Sequence, residues 1–310
     1  MNNLKNAVLL FFCIILLSGC GYQIQNKPVK PDNDVVKMET RKDIELNITT
    51  TNKLLYSMVK TISKNMHSVD YIFKNRDTEQ NFEFTSDSLN NIAKKDLLIY
   101  MGAGFEPWID DFIDKLNKSK VGVINVSRGV KLLSYNKEVK YKNAVLKDNC
   151  YYLMNIDNYK IALLNIKNAI QDKDPKNRDL YQKNFSEAIK NVEEYQKDLK
   201  TISGKLKDCN FIFAEDEMNY FIKYNDFNAI YTSKDSNGKW DLEDKVKNSK
   251  NLVFLYNNPL ILKENEEIIK KYSIKAVNIK IYNGEVNYED IVKSNLEALK
   301  NSYESGAVKK

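Results

Sequence analysis

Short apolar runs alternate along this chain with longer stretches whose apolar positions recur every three or four residues. The compact runs, rich in β-branched and aromatic side chains, predict strands at residues 44–50, 68–73, 97–100, 121–126, 211–214, 229–232, 252–256 and 275–281. The three-to-four spacing predicts helices at 52–64, 86–93, 107–116, 159–170, 216–223, 259–271 and 288–303. Thr85 is placed to cap the helix at 86–93, and Pro107 stands where a first helical turn spares no hydrogen bond. Gly102-Ala103-Gly104 reads as a turn directly after a buried strand, and 233–239 as a loop. Strands alternating with helices predict the α/β class, a parallel sheet covered by helices.

One element stands apart. Beyond the break at Pro175, Tyr181, Phe185, Ile189, Val192, Tyr195, Leu199, Ile202 and Leu206 form a single apolar stripe. A helix of about thirty residues would be ~45 Å long at 1.5 Å per residue, a stiff spine suited to joining two lobes. Its charged face reads as solvated.

The amino terminus carries a different signal. Lys5 precedes an apolar run at 7–17, too short to span a bilayer, and Leu17-Ser18-Gly19-Cys20 follows. This is the layout of a secretory leader. The ending resembles the bacterial lipobox, which implies that Cys20 is lipidated and becomes the new amino terminus. The expected location is the extracytoplasmic face of a bacterial cell membrane, held by the lipid. Residues 21–42, polar and carrying Pro28 and Pro31, read as a flexible tether.

Composition narrows the function. The 310 residues, 43% hydrophobic and 11% aromatic, are globular and long enough for two modest lobes or one large domain. The formal net charge is +6, but acids and bases are interspersed and no basic run matches a phosphate backbone, so no nucleic-acid partner is expected. Cys13 leaves with the leader, so Cys150 and Cys209 remain, as a disulfide or as two small buried thiols. His67 is the single histidine and reads as a surface or satisfied core residue. No nucleophile–base pair can be built around it, and Gly102-Ala103-Gly104 lacks the third glycine of a dinucleotide site. An enzyme is not expected.

Lys95-Asp96-Leu97-Leu98-Ile99-Tyr100-Met101-Gly102-Ala103-Gly104-Phe105-Glu106-Pro107-Trp108-Ile109-Asp110 carries Gly-x-Gly-Phe-Glu-Pro-Trp. It resembles the signature of metal-type solute-binding lipoproteins, the zinc and manganese receptors of ABC importers. Ser127-Arg128-Gly129, Asp174-Pro175-Lys176-Asn177 ahead of the spine, and the stretch from Tyr288 to Leu299 resemble further anchors of that family in the same order. The resemblance implies two parallel-sheet α/β lobes joined by one long rigid helix, with the ligand in a cleft between them. It divides the chain into a signal peptide (1–19), tether (20–42), amino-terminal lobe (43–173), linking helix (174–207), carboxy-terminal lobe (208–303) and tail (304–310). In that fold Cys150 lies at the cleft and Cys209 begins a strand running ~20 Å toward it, too far apart to bridge. Trp108 and Tyr152 read as aromatics bracing the lobes.

The implied site departs from the family's pattern. The family holds its metal with three His and an Asp, or two His with Glu and Asp, donors that suit zinc and manganese. Here Gln80 and Cys150 stand at the first two positions, Glu215 at the third and Lys280 at the fourth, with Arg128 and Asp216 as secondary cleft candidates. Glu215, Asp216 and Glu217 also sit at a helix start, where carboxylates complement the dipole, a sufficient structural reason for at least two of them. Three readings stay open: a zinc- or manganese-class ion as transported ligand, an altered ligand whose anionic group meets Lys280 and Arg128, or no small ligand. A Glu215–Lys280 ion pair is expected across the cleft, because an unpaired buried charge is costly. The function implied is capture of a metal ion or small ligand and delivery to an ABC permease subunit. The competing reading is a non-transport surface lipoprotein that kept the fold and lost metal binding.

Overall fold

The computed structural model describes residues 44–116, 119–141, 144–282 and 287–304. The leader, the Cys20 lipidation site, the tether and the tail at 305–310 lie outside the described residues.

Strand β1 (Asn47–Asn52) is buried beyond its first residue, as a strand flanked on both sides must be. The Asn52 side chain then accepts the Leu55 N–H at 3.0 Å and starts helix α1 (Lys53–Ser63) with no intervening loop. Strand β2 (Ser68–Phe73), the short helices α2 (Arg76–Gln80) and α3 (Ser86–Ile92), β3 (Leu97–Tyr100), α4 (Ile109–Leu116) and β4 (Gly122–Asn125) complete the first lobe. Its sheet runs β2-β1-β3-β4, all parallel. A hairpin of β5 (Ser134–Tyr141) and β6 (Ala144–Asp148) leads to α5 (Ile156–Lys173).

The spine helix α6 (Arg178–Lys205) runs unbroken for 28 residues, entered through a tight turn at Pro175–Asn177. The second lobe follows as β7 (Asn210–Phe213), α7 (Asn219–Tyr224), β8 (Asn228–Tyr231), α8 (Leu242–Val246), β9 (Leu252–Tyr256), α9 (Pro259–Glu264), α10 (Glu266–Lys271), β10 (Lys275–Asn278) and α11 (Tyr288–Glu304). Its sheet runs β10-β9-β7-β8, again all parallel. The expected architecture of two parallel-sheet lobes and a long linking helix is the one observed.

The alternation of side chains along each central strand divides the interior. Leu97, Ile99, Phe211, Phe213, Val253 and Leu255 face one core shared by both lobes and filled by α1, α5, α6 and α11. Leu98 faces a separate cluster with Trp108 and Phe112, and Ile212 and Phe254 face another with Leu242 and Ile269. The spine packs on α5, α1 and α11, so it belongs to both lobes.

Its first turn is fixed by a buried polar chain. The Leu46 N–H donates to His67 Nδ1 (3.4 Å), His67 Nε2 meets the Tyr181 hydroxyl (2.8 Å), and that hydroxyl donates to Asp174 Oδ2 (2.5 Å). Burial lowers the His67 pKa against the opposing pull of Asp174. His67 is therefore a satisfied core histidine.

Several local expectations shift. Helix α2 and the β5–β6 hairpin have no counterpart in the apolar pattern, because both are short and largely polar on the outside. The helix expected at 259–271 is two helices, broken where Asn265 turns its side chain onto the Ile261 carbonyl. The last strand stops at Asn278.

Candidate interlobe site

The segments leaving the carboxyl ends of the two sheets meet each other, as expected for ligand crevices of parallel α/β sheets. Beyond β3, Gly102, Ala103 and Gly104 all have positive φ (75°, 54° and 75°). Glu106 holds this turn from inside. Its carboxylate accepts the Thr51 hydroxyl (2.6 Å) and the backbone N–H groups of Met101 (2.8 Å) and Gly102 (3.0 Å). Trp108 donates its indole N–H to the Glu79 carbonyl at 2.7 Å, which fixes α2 above the turn. The Gly-x-Gly-Phe-Glu-Pro-Trp segment thus builds a scaffold, and its polar groups are consumed in doing so.

What the scaffold presents is a cation. The Arg76 guanidinium lies 3.8 Å above the centre of the Phe105 ring, the stacked arrangement that arginine favours. Its nearest acid is Glu79, at 3.7 Å from Nη1, beyond hydrogen-bond reach. Arg76 Nε and Nη1 and Glu79 Oε2 are buried without a hydrogen-bond partner. Burial opposes the Arg76 charge, but the facing Cys150, Tyr151, Glu79 and Glu106 groups outweigh it and hold its pKa up. Burial, with Glu106 nearby, pushes the Glu79 carboxyl up to about 8, although Asn52 donates to it at 2.8 Å. Burial also raises Glu106 despite its three donors.

The opposite wall belongs to the second lobe. Glu217 is half-buried, its pKa raised first by burial, and Asp216, Lys137 and Arg76 all act on it. Tyr282 reaches back across the cleft: its ring packs 6.0 Å from that of Phe105, and burial raises its phenol pKa. The hairpin closes one side. Asp216 Oδ1 accepts the Asn136 N–H at 2.9 Å, Tyr220 Oη accepts the Leu133 N–H at 2.7 Å, and Asn149 Nδ2 donates to the Asp216 carbonyl at 2.7 Å.

The residues named from the sequence are dispersed. Gln80 is half-buried at the end of α2. Cys150 is buried at the cleft beside Tyr135, whose hydroxyl lies 3.3 Å from Sγ, and burial pushes its thiol up to about 11. Glu215 is buried, and its carboxylate is taken by the backbone N–H groups of Asn257 (2.8 Å) and Asn258 (3.0 Å). Asp216 ties the hairpin down. Arg128 is exposed on the turn after β4.

The expected Glu215–Lys280 ion pair is not formed. Lys280 is exposed, its backbone clamped by Asn295 at 2.7 and 2.9 Å, and among the described residues its ammonium makes no ion pair. The reason is local: two peptide N–H groups already satisfy Glu215, and an exposed ammonium keeps its water. Cys150 and Cys209 are free and buried. Among the described residues no group of three or more His, Cys, Asp or Glu is placed to hold a metal ion. Reading by family position passed over Arg76, Glu79 and Glu217. The available signal was an arginine three residues before a glutamate, in a chain that takes nearly all its cations from lysine.

Two parallel-sheet lobes, a single rigid linking helix and a crevice at the strand ends define a two-lobed solute-binding protein. Residues 48–302 match the family described as ZnuA, zinc-uptake complex component A periplasmic, and the chain belongs to that metal-type family of ABC-transporter solute-binding proteins. It is similar to the high-affinity zinc uptake system protein ZnuA of Bacillus subtilis (strain 168), 24% identical over 217 residues, 68% of this chain and 65% of that protein. It is similar also to a metal ABC transporter substrate-binding lipoprotein of Lactococcus lactis subsp. lactis (strain IL1403), 23% identical over 257 residues, 79% of this chain and 76% of that one. Among solved structures, the metal-dependent lipoprotein YcdH of Bacillus subtilis has the same fold, with TM-score 0.70 and 20% identity over 83% of this chain and 98% of that chain.

Proposed function

We propose that this protein is the extracytoplasmic solute-binding lipoprotein of an ABC importer, anchored through Cys20, and that it captures its cargo between the lobes and delivers it to a permease subunit. The observation that carries this reading is the cleft itself. It forms where two parallel sheets end face to face across a spine that limits closure, in a chain of the metal-type solute-binding family. The relatives' names assign zinc and other metals to those proteins. This chain's donors do not fit a divalent metal: a neutral Gln80, a Glu215 already bound by backbone and a solvated Lys280 leave Cys150 as a lone donor. We read it as a carrier and not an enzyme, since its only histidine is locked to Tyr181 at the foot of the spine. Among the described residues no helix is long and apolar enough to cross a membrane.

The test is reconstitution with the ATPase and permease of a metal-type ABC importer from the same cell. The protein should stimulate ATP hydrolysis by that complex in vesicles, and Cys20→Ala should release it from membranes in cells. Failure to stimulate or bind any permease would favour a non-transport lipoprotein that kept the fold.

A further inference from the structure

Three sulfur-bearing side chains line one small space between the lobes. Met101, Cys150 and Met154 come from the first lobe, and Tyr282 and Tyr288 line it from the second. Its volume is about 20 Å³, room for a single water or a bare ion. The main chain that carries the sulfurs is fixed. Cys150 and Met154 belong to one tight segment, in which the Met154 N–H donates to the Tyr151 carbonyl at 3.0 Å. Between them the buried Tyr152 donates its hydroxyl to the Met101 carbonyl at 2.7 Å, tying the two sulfur-bearing segments together. The Met101 N–H is in turn held by Glu106 at 2.8 Å. The Tyr135 hydroxyl lies 3.3 Å from Cys150 Sγ and orients it, and the Tyr288 hydroxyl is buried without a hydrogen-bond partner.

Resting on the solute-binding reading above, we propose that this space is a binding site for one soft monovalent metal ion of the Cu(I) class, held by Cys150 with the thioethers of Met101 and Met154. Thiolate and thioether donors select Cu(I) over harder ions. Among the described residues no carboxylate and no imidazole lines the space, so zinc and manganese lack the donors they prefer. Charge points the same way. A Cys150 thiolate, its proton released to water, neutralises one monovalent ion. A divalent ion would leave a net positive charge in a lining of apolar and aromatic side chains, which is costly. Arg76 does not oppose the ion alone, since Glu79 lies 3.7 Å from its Nη1. Methionine is unbranched and polarizable, so each thioether can turn onto an ion without a backbone shift. Of the positions that the family resemblance marked, only Cys150 takes part.

The experiment titrates the mature lipoprotein, purified in detergent under anaerobic reducing conditions, with Cu(I) against a competing Cu(I) chelator, and with Ag(I) as a redox-inert probe. One equivalent should bind with a Kd below about 1 nM, and zinc and manganese at least about a thousandfold more weakly. X-ray absorption at the copper edge should show sulfur as the only near neighbour. Cys150→Ser should abolish tight binding, while Cys209→Ser leaves it intact. Met101→Leu and Met154→Leu conserve volume, so the fold is kept. Each should weaken binding by about tenfold or more. Circular dichroism separates lost binding from lost folding in the Cys150 variant. The inference is overturned if no soft ion binds stoichiometrically, if binding survives Cys150→Ser, if either leucine variant binds as tightly as the parent, or if zinc competes at equal concentration. Copper binding is read without any permease. A chain that binds the ion and stimulates no permease would therefore sink only the transport reading, and one that stimulates a permease without binding the ion would sink only this inference.

Discussion

Gly102 shows how little freedom the cleft scaffold has. Its φ is +75°, and a Cβ added there would lie 2.0 Å from Asn125 Oδ1. Gly102→Ala combines left-handed strain with a clash and should cost about 1–3 kcal/mol or more, read as a lower urea midpoint. Gly204, in the last turn of α6, has nothing within 4 Å of that position, so Gly204→Ala should stabilise by up to about 1 kcal/mol in the same assay. His67 supplies a pH prediction. Burial lowers its folded pKa below the ordinary 6.5, so the native state resists protonation. Its contribution is fully present above pH 6.5 and is lost as pH falls from there through the depressed folded value. As the only histidine, it gives one imidazole resonance, which should titrate below 6.5 in the folded protein. His67→Gln should flatten the loss of stability between about pH 6.5 and 5. A histidine titrating at its ordinary value, or an unchanged pH profile in the variant, would contradict the buried chain.

The hairpin β5–β6 is the element whose position depends most on a few contacts. It is largely solvent-facing and bonds to the second lobe through Asn136, Asn149 and Leu133. Asp216→Ala removes the acceptor for the Asn136 N–H. Exchange of the β5 amides should then quicken by about tenfold while those of β1, β3, β7 and β9 keep the global rate. Uniform acceleration in all strands would show that the hairpin is not a separate opening unit. The same element explains a gap in what the residue pattern revealed. Strands β3, β7 and β9 were legible because they are buried on both faces and read as apolar runs. The segment Ser134-Tyr135-Asn136-Lys137-Glu138 carries no such run, and it is a strand because β6 pairs with it and Asp216 receives it.

Between the lobes, Tyr282 is one of the side chains that cross from the second to the first, with Tyr220 and Asp216. Tyr282 is 7% exposed and packs on Phe105. Tyr282→Ala should cost roughly 3 kcal/mol and open the cleft, giving a larger radius of gyration by solution X-ray scattering. A stability loss with an unchanged radius would mean that the spine alone sets the lobe separation. The spine's own contribution is visible in its packing. Tyr181, Val192, Leu199 and Ile202 bury into a core continuous with both lobes, so the two sheets share one interior and cannot move far apart without exposing it.

Periodicity and short motifs are local properties, so the residue order was enough to establish two runs of strand–helix alternation, the spine and the turn ending in Gly-x-Gly-Phe-Glu-Pro-Trp. The same local cues carried the family resemblance. They did not reveal which charges meet in the cleft. Glu215 finds its partners at Asn257 and Asn258, more than forty residues away, and Lys280 is left in solvent because those amides already satisfy the carboxylate. Arg76 comes to dominate the site because Trp108 pins α2 through the Glu79 carbonyl and Phe105 offers a ring beneath the guanidinium. Such pairings rest on desolvation and on competition for hydrogen bonds among groups distant in the chain. Those quantities exist only once the chain has closed around them.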